Sequence, residues 1–408
     1  MSATYHKDLR TGRSVWQDRR LPPLGTAPLA CDLRTDVLVV GAGITGAMVA
    51  DALSEAGFRV LVVDRRRPIS GSTTASTALL QYEIDMPLIH LARRVGQQRA
   101  RRLWRRSKLA LDALKARVRH LGIDADCVQR DSLYLEGDVL GRRALREEAA
   151  ARQHAGFEVT LLDAEQVAQR FGIAGRSGLL GYDNLSADPR RLAHGFLAAA
   201  LTRGTRLASP VDIAEVRPGR GGVIALTSAG RAVQARHLVF ATGYELPKRV
   251  PTTGHTIAST WVIATRPQPG RLWPERCFIW EASDPYLYLR VGPDDRIICG
   301  GEDEDFADER SRDALLPRKT ATLERKLHAL LPTVDARAAY AWCGSFGGST
   351  AGTPTIGPVP GMPHCYAVLG YGGNGITFAA LAAQLLRAHV MGTPDPDSDL
   401  FSFRGTRR

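Results

Sequence analysis

Asp36-Val37-Leu38-Val39-Val40 runs without a break into Gly41-Ala42-Gly43-Ile44-Thr45-Gly46. That junction constrains the fold more than any other stretch of the chain. An apolar run of strand type ends on glycines with the spacing G-x-G-x-x-G. A helical pattern follows at once (Ala47, Val49, Ala50, Leu53, Ala56), and a second apolar strand, Val60 to Val63, ends on Asp64. Gly41 permits a tight turn, Gly43 lets a pyrophosphate approach the backbone, and Gly46 lets helix and strand pack closely. The phosphates then meet the unsatisfied N–H groups at the positive end of the helix, around Ile44 and Thr45. Asp64, 18 residues past Gly46, falls where a carboxylate can hydrogen-bond a ribose hydroxyl. A plain glycine-rich turn in an α/β domain leaves that acid unexplained. Asp64 would repel a 2′-phosphate, which favours NAD or FAD over NADP, although Arg65, Arg66 and Arg67 could soften the repulsion.

The 408 residues suffice for two or three domains with a sizeable core. No apolar run reaches the length of a membrane span, and Met1 to Arg20 lacks an apolar segment of signal-peptide type. Six cysteines (Cys31, Cys127, Cys277, Cys299, Cys343, Cys365) are scattered and form no C-x-x-C. The expectation is free thiols in a reducing cytoplasm, with no metal site. The net charge of +12 comes largely from arginine, with one dense region from Arg93 to Arg119. Leu91, Val95, Leu103, Leu111, Leu114, Val118 and Leu121 recur there at near-helical spacing. This reads as an amphipathic helical segment with a solvated basic face. A peripheral contact with an anionic membrane surface or an acidic partner stays open. No nucleic-acid recognition motif accompanies the charge.

Further along, Ser70 to Ala78 is built of small residues. Its hydroxyls (Ser72, Thr73, Ser76 and Thr77 among them) suit a loop beside a bulky ligand. Helices are expected over Met86 to Leu121, and a strand at Ser132 to Leu135 leads to a helix through His154. Asp188 and Pro189 form an N-cap and N1 pair opening another helix. His237 to Phe240 reads as a buried strand ending in Ala241-Thr242-Gly243. From Thr256 to Gly301 the pattern alternates as in β-structure, and a helix follows at Arg318 to Leu331. The C-terminal block repeats the opening signal. Tyr366 to Leu369 is a strand, Gly370, Gly372 and Gly375 again satisfy G-x-G-x-x-G, and Ile376 to Val390 is helical. No strand with a terminal acid follows, so this turn reads as a helix N-terminus offering bare backbone donors to a group that gains negative charge.

With both glycine blocks placed, the chain resembles the D-amino-acid-oxidase superfamily of flavoproteins, which includes glycine oxidase, sarcosine oxidase and the γ-glutamylputrescine oxidase type. The resemblance runs from about Asp32 to Val390. It rests on the first glycine fingerprint, Leu238 to Gly243, the strand Tyr286-x-Tyr288-x-Arg290 leading to Gly300-Gly301, Gly352 to Gly357, and Gly370 to Gly375. It implies an α/β fold: a discontinuous Rossmann-like FAD-binding domain (32–90, 150–250 and 340–395) and an α+β substrate domain on an antiparallel sheet (91–149 and 251–339). Extended termini (1–31 and 396–408) complete it. It also implies that FAD lies with its diphosphate on Gly41, Gly43, Ile44, Thr45 and Gly46 and its ribose on Asp64 beside Arg65. Adenine would meet the backbone of Val211, and Ala241, Thr242 and Gly243 would line the nucleotide half. Gly372, Gly373, Asn374, Gly375 and Ile376 would hold the pyrimidine edge of the flavin.

The departures from the family pattern also carry expectations. Ser72 to Leu80 stands where relatives carry arginine or asparagine against the flavin. Cys343 lies near, but not at, the position of covalent attachment, so the flavin is expected to be non-covalent. No lysine lies between Tyr286 and Gly301, which leaves oxidase versus dehydrogenase open. Tyr286, Tyr288 and Arg290, spaced by two, share one strand face. They could clamp a substrate carboxylate; an ordinary sheet face with an edge arginine is the alternative. The reading preferred is oxidation of a C–N bond of a small amine or amino acid, with oxygen or another electron acceptor. A 2-hydroxy-acid or glycerol-3-phosphate type dehydrogenase and a non-catalytic flavin-binding subunit remain alternatives.

Overall fold

Residues 2–403 are described by a computed structural model. The strand Leu33–Val40 is central because Val37 to Val40 are apolar on both faces and wholly buried, as a parallel strand covered on both sides requires. It pairs in parallel with Val60–Val63 on one side and Ala232–Phe240 on the other. The sheet order continues outward to Arg206–Ala208 at one edge and through Cys365–Leu369 to Thr355–Pro358 at the other. Gly222–Thr227 and Ile213–Gly219 extend Ala232–Phe240 as an antiparallel meander. The helices Ile44–Glu55, Pro189–Thr202 and Gly375–Val390 pack together over one face, with Gln97–His120 against the last of them. Asp188 caps its helix as expected, accepting from the amides of Arg190 and Arg191 at 2.9 and 3.1 Å.

The second sheet has ten strands, running from Arg10–Gly12 through Ala338–Ser349, His255–Thr265, Ile297–Glu304, Leu287–Val291, Phe278–Glu281 and Val128–Leu135 to Gly178–Ser186, which also pairs with Leu79–Leu80 and Val159–Leu162. Its pairings are antiparallel except that between Phe278–Glu281 and Val128–Leu135. The helix Leu316–Leu330 covers part of it, burying Leu323 and Leu327 against Trp261, Ile263 and Leu289.

The domain boundaries shift accordingly. Residues Val159–Leu162, Gly178–Ser186 and Ala338–Ser349, expected in the nucleotide domain, are strands of the antiparallel sheet. Conversely Gln97–His120, expected in the substrate domain, shares the core of the parallel sheet's helices. The reason is local. A buried strand of either sheet carries the same apolar run, and only pairing partners tell them apart. The termini are also more ordered than an extended reading implies: Arg10–Gly12 pairs in the sheet, Trp16 is buried, and Ser398–Phe401 is a short helix. The last five residues lie outside the described range.

The basic helix Gln97–His120 is largely neutralised within the chain. Arg99, Arg102 and Arg106 meet Asp395, Asp397 and Asp399 of the C-terminal segment, and Arg117 meets Asp51 and Glu55. Among the described residues no helix is long and apolar enough to cross a membrane.

One buried acid ties these helices together. Glu148, with no exposed surface, accepts from the amides of Leu88 and Ile89 (both 2.9 Å) and pairs with Arg152 at 2.7 Å. It thereby caps the helix Leu88–Val95 from outside that helix. Arg152 in turn lies 4.6 Å from the ring centre of Trp104. Glu148→Ala leaves a buried guanidinium without its partner, and is expected to destabilise the fold by roughly 3–5 kcal/mol, measured by denaturant unfolding.

Candidate functional site

The first glycine turn is shaped by backbone contacts that exclude any side chain. A Cβ on Gly46 would stand 1.8 Å from the carbonyl oxygen of Gly41. Gly41 itself has φ +111° and would place a Cβ 2.4 Å from the carbonyl oxygen of Ala241. Gly43 is the N-cap of Ile44–Glu55 and offers no side chain to the helix start. Thr73 takes the amide of Ile44 at 3.0 Å, leaving those of Thr45 and Gly46 as helix-start donors. Asp64 closes the turn: its carboxylate accepts from the amides of Ala42 (2.7 Å) and Arg66 (2.8 Å). Burial raises its pKa, against the pull of those two bonds. Val211 donates its amide to the carbonyl of Asp64 at 2.8 Å.

The second glycine turn is joined to the first through Tyr371, whose hydroxyl accepts from Thr45 at 3.0 Å. Gly372 has φ +58°. Asn374 donates to the carbonyls of Gln81 (3.2 Å) and Glu83 (2.9 Å), and Thr377 donates to Gln81 (2.8 Å). The start of the helix Gly375–Val390 is not wholly bare, because the carboxylate of Asp85 accepts from the amide of Gly373 at 2.6 Å.

A single cavity of about 1830 Å³, its open mouth included, touches both turns. It is lined by Gly41, Gly43, Ile44, Thr45, Asp64, Arg65, Val211, Ala241, Thr242 and Gly243 at one end. Ser72, Thr73, Ser76, Thr77, Gly372, Gly373, Asn374, Gly375 and Ile376 line its middle. Gly46 lies behind the wall, where it acts by permitting close packing. Tyr286, Tyr288, Trp280, Thr260 and Asp303 also line the cavity. The two tyrosine rings are 5.4 Å apart, and Trp280 stacks on Tyr134 at 3.9 Å. Phe346 and Tyr371 line it too, whereas Trp261 is fully buried elsewhere, donating to the carbonyl of Arg312. His255 meets Thr355 and is not part of the lining.

The carboxylate clamp expected of Arg290 is corrected. Arg290 does share the strand face of Tyr288, but that face runs from the cavity to the small-residue loop behind it. There the buried guanidinium donates to the carbonyls of Thr77, Ala78, Ala187 and Val291 at 2.6 to 3.3 Å. Burial without a carboxylate partner lowers its pKa to about 9. Arg290 therefore anchors Thr77 and Ala78, the end of the small-residue loop, and is absent from the lining.

Residues 36–389 match the family model "DAO: FAD dependent oxidoreductase". The chain belongs to this family. A probable oxidoreductase, OrdL, from Haemophilus influenzae is 22% identical over 97% of this chain and 91% of its own. Gamma-glutamylputrescine oxidoreductase of Escherichia coli is 23% identical over 88% and 84%. Among solved structures, glycine oxidase from Geobacillus kaustophilus superposes with a TM-score of 0.75 at 18% identity, covering 91% of this chain and 99% of that one. The chain is thus an FAD-dependent oxidoreductase with the fold of the DAO-family oxidases.

The residues present fit FAD. The glycine turn leaves side-chain-free backbone that would cradle a diphosphate, and the buried Ser72 hydroxyl and Asn374 amide oxygen have no partner within the protein. No cysteine or histidine lines the cavity among the described residues. Cys343 sits against Thr11 and Asp313, its thiol pushed up by burial to about 11. These facts accord with a non-covalently held flavin.

Sequence reasoning missed Asp85, Trp280, Asp303 and Glu245. Asp303 lies in Glu302-Asp303-Glu304-Asp305, which reads as a solvated charge run. Its signal is the left-handed Glu302 (φ +59°), which the sequence does not announce. Burial, with the like charge of Asp85 adding to it, raises the Asp303 carboxyl to about 7.

Two outcomes follow. Arg290→Met leaves four carbonyls without their donor, so the fold should lose about 3 kcal/mol and release FAD faster, while ligand charge preference stays unchanged in binding titrations. For Asp303, the folded pKa lies above that of a free carboxylic acid, about 4. Stability therefore falls as pH rises from about 4 to about 7. Asp303→Asn should make the FAD-free protein more stable than wild type at pH 8 by on the order of 2 kcal/mol, the gap closing at pH 4 in unfolding titrations.

Proposed function

We propose that this protein oxidises the C–N bond of a small amine or amino acid to an imine. When bound, FAD supplies the acceptor for the two electrons and the hydrogen leaving the carbon next to nitrogen. The observation that carries this reading is the cavity wall formed by Tyr286, Tyr288, Trp280 and Asp303, which contains neither histidine nor lysine among the described residues. An alcohol must give up a hydroxyl proton about as weakly acidic as water, roughly pKa 16. An ammonium group gives up its proton near roughly pKa 10, within closer reach of a carboxylate that titrates around neutrality.

Asp303 is assigned the acceptance of that proton, which leaves the nitrogen lone pair free as hydrogen departs from carbon. Tyr286 and Tyr288, both raised by burial, stay protonated and can donate hydrogen bonds. The start of Gly375–Val390 is assigned the stabilisation of negative charge that accumulates on the reduced cofactor. The names of two similar proteins, gamma-glutamylputrescine oxidoreductase and glycine oxidase, support an amine or amino-acid substrate.

The test is anaerobic bleaching of the bound flavin's visible absorbance. Amines or amino acids should bleach it, and 2-hydroxy acids and glycerol 3-phosphate should not; the reverse pattern would overturn the reading. Readmitting air then shows whether oxygen accepts the electrons. Asp303→Asn should slow bleaching by about 100-fold at pH 7 and recover partly near pH 10, where the amine is already neutral.

A further inference from the structure

The charge at the substrate end of the cavity has one sign. Among the described lining residues the only cationic side chains are Arg65 and Arg66. Both lie at the nucleotide end and both pair with Glu245, Arg66 at 2.6 Å. Arg290 is engaged by four backbone carbonyls. Lys319, the nearest ammonium, is held by the Glu302 carbonyl (2.8 Å) and the Glu304 carboxylate (2.6 Å) and lies over the Trp261 ring, outside the lining. A carboxylate entering this chamber would lose its hydration without meeting a counter-ion.

The opposite holds for a cation. The carboxylate of Asp303 has a buried oxygen, Oδ1, that makes no hydrogen bond of good geometry, and the neutral hydroxyl of Thr260 lies beside it, close enough to oppose the rise of its pKa without supplying a charge. The rings of Tyr286, Tyr288 and Trp280 add faces that attract positive charge.

We infer that the substrate is a positively charged amine carrying no carboxylate on the carbon next to nitrogen, and that Asp303 is the counter-ion that selects it. This rests on the proposed C–N oxidation and narrows its substrate class. The groups facing Asp303 are Asp85 from the loop before Leu88–Val95, Asp284 from the turn before Leu287–Val291, Lys319 from Leu316–Leu330, and the phenols Tyr286 and Tyr288. The three charged neighbours are thus two acids and one lysine already engaged, so the local field also favours a cation.

The experiment separates binding from turnover. tert-Butylamine and 2-aminoisobutyrate differ by a methyl against a carboxylate, and neither has a hydrogen on the carbon bearing nitrogen, so neither can form an imine there. Each is titrated into the FAD-bound protein at pH 8, and the perturbation of the flavin spectrum gives its dissociation constant; pivalate serves as the anion. tert-Butylamine should bind at least tenfold tighter than either carboxylate, and its binding should weaken as pH falls below about 7. Asp303→Asn should lose that advantage and its pH dependence, and Asp303→Glu should restore part of both. Equal or tighter binding of 2-aminoisobutyrate or pivalate by the wild type would overturn the inference, whatever Asp303→Asn does. Because these ligands cannot react, absence of turnover with any amine would count against the proposed reaction and not against this charge preference.

Discussion

The approach of the helix Ile44–Glu55 to the carbonyl of Gly41 is the contact on which the rest of the architecture depends. With 1.8 Å between that oxygen and the place where a Gly46 Cβ would be, no other residue fits. The approach aims a helix N-terminus into the cavity, sets Asp64 across the turn, and lets Thr45 reach Tyr371 of the second glycine turn. The two glycine turns are thereby joined and face one cavity. A family of enzymes that share this arrangement can vary the antiparallel sheet, and with it the substrate, while leaving the cofactor chemistry alone.

Charge is distributed against expectation. A chain of net charge +12 presents an acidic and aromatic wall, with Asp303, Tyr286, Tyr288 and Trp280, to the part of the cavity assigned to the substrate. Its arginines act elsewhere: Arg102 and Arg106 fasten the C-terminal segment, Arg117 and Arg203 surround the buried Asp51, and Arg290 holds the loop that borders the cavity. Net charge speaks of solubility and encounter, and here it is a poor guide to the site.

The cofactor half was legible in the sequence because its requirements are local. A positive-φ glycine, a missing Cβ and a strand-ending acid each occupy a fixed place within one βαβ unit, and Gly41, Gly46 and Asp64 fall there. The substrate half was not legible. Period-two spacing puts Tyr288 and Arg290 on one face of the five-residue strand Leu287–Val291, yet only Tyr288, with Tyr286 just before the strand, lines the cavity, while Arg290 is buried in the core. The side-chain partner of Arg290 is therefore a matter of tertiary position. Asp303 and Asp85 escaped notice because their roles arise from burial among distant segments, which no window of sequence contains. The interleaving of the two sheets had the same cause: Ala338–Ser349 carries no mark of which sheet it joins.

The central claim is that the C–N single bond of an amine is oxidised to a C=N double bond, the hydrogen on that carbon and two electrons going to the bound FAD. The most direct test is a single anaerobic turnover with an amine deuterated at the carbon bearing nitrogen, following flavin absorbance and product together. The account predicts one carbonyl product, formed by hydrolysis of the imine, for each FAD reduced, and a several-fold slowing of reduction by deuterium. Flavin that stays oxidised with every amine, or that is reduced without release of a carbonyl product, would contradict it.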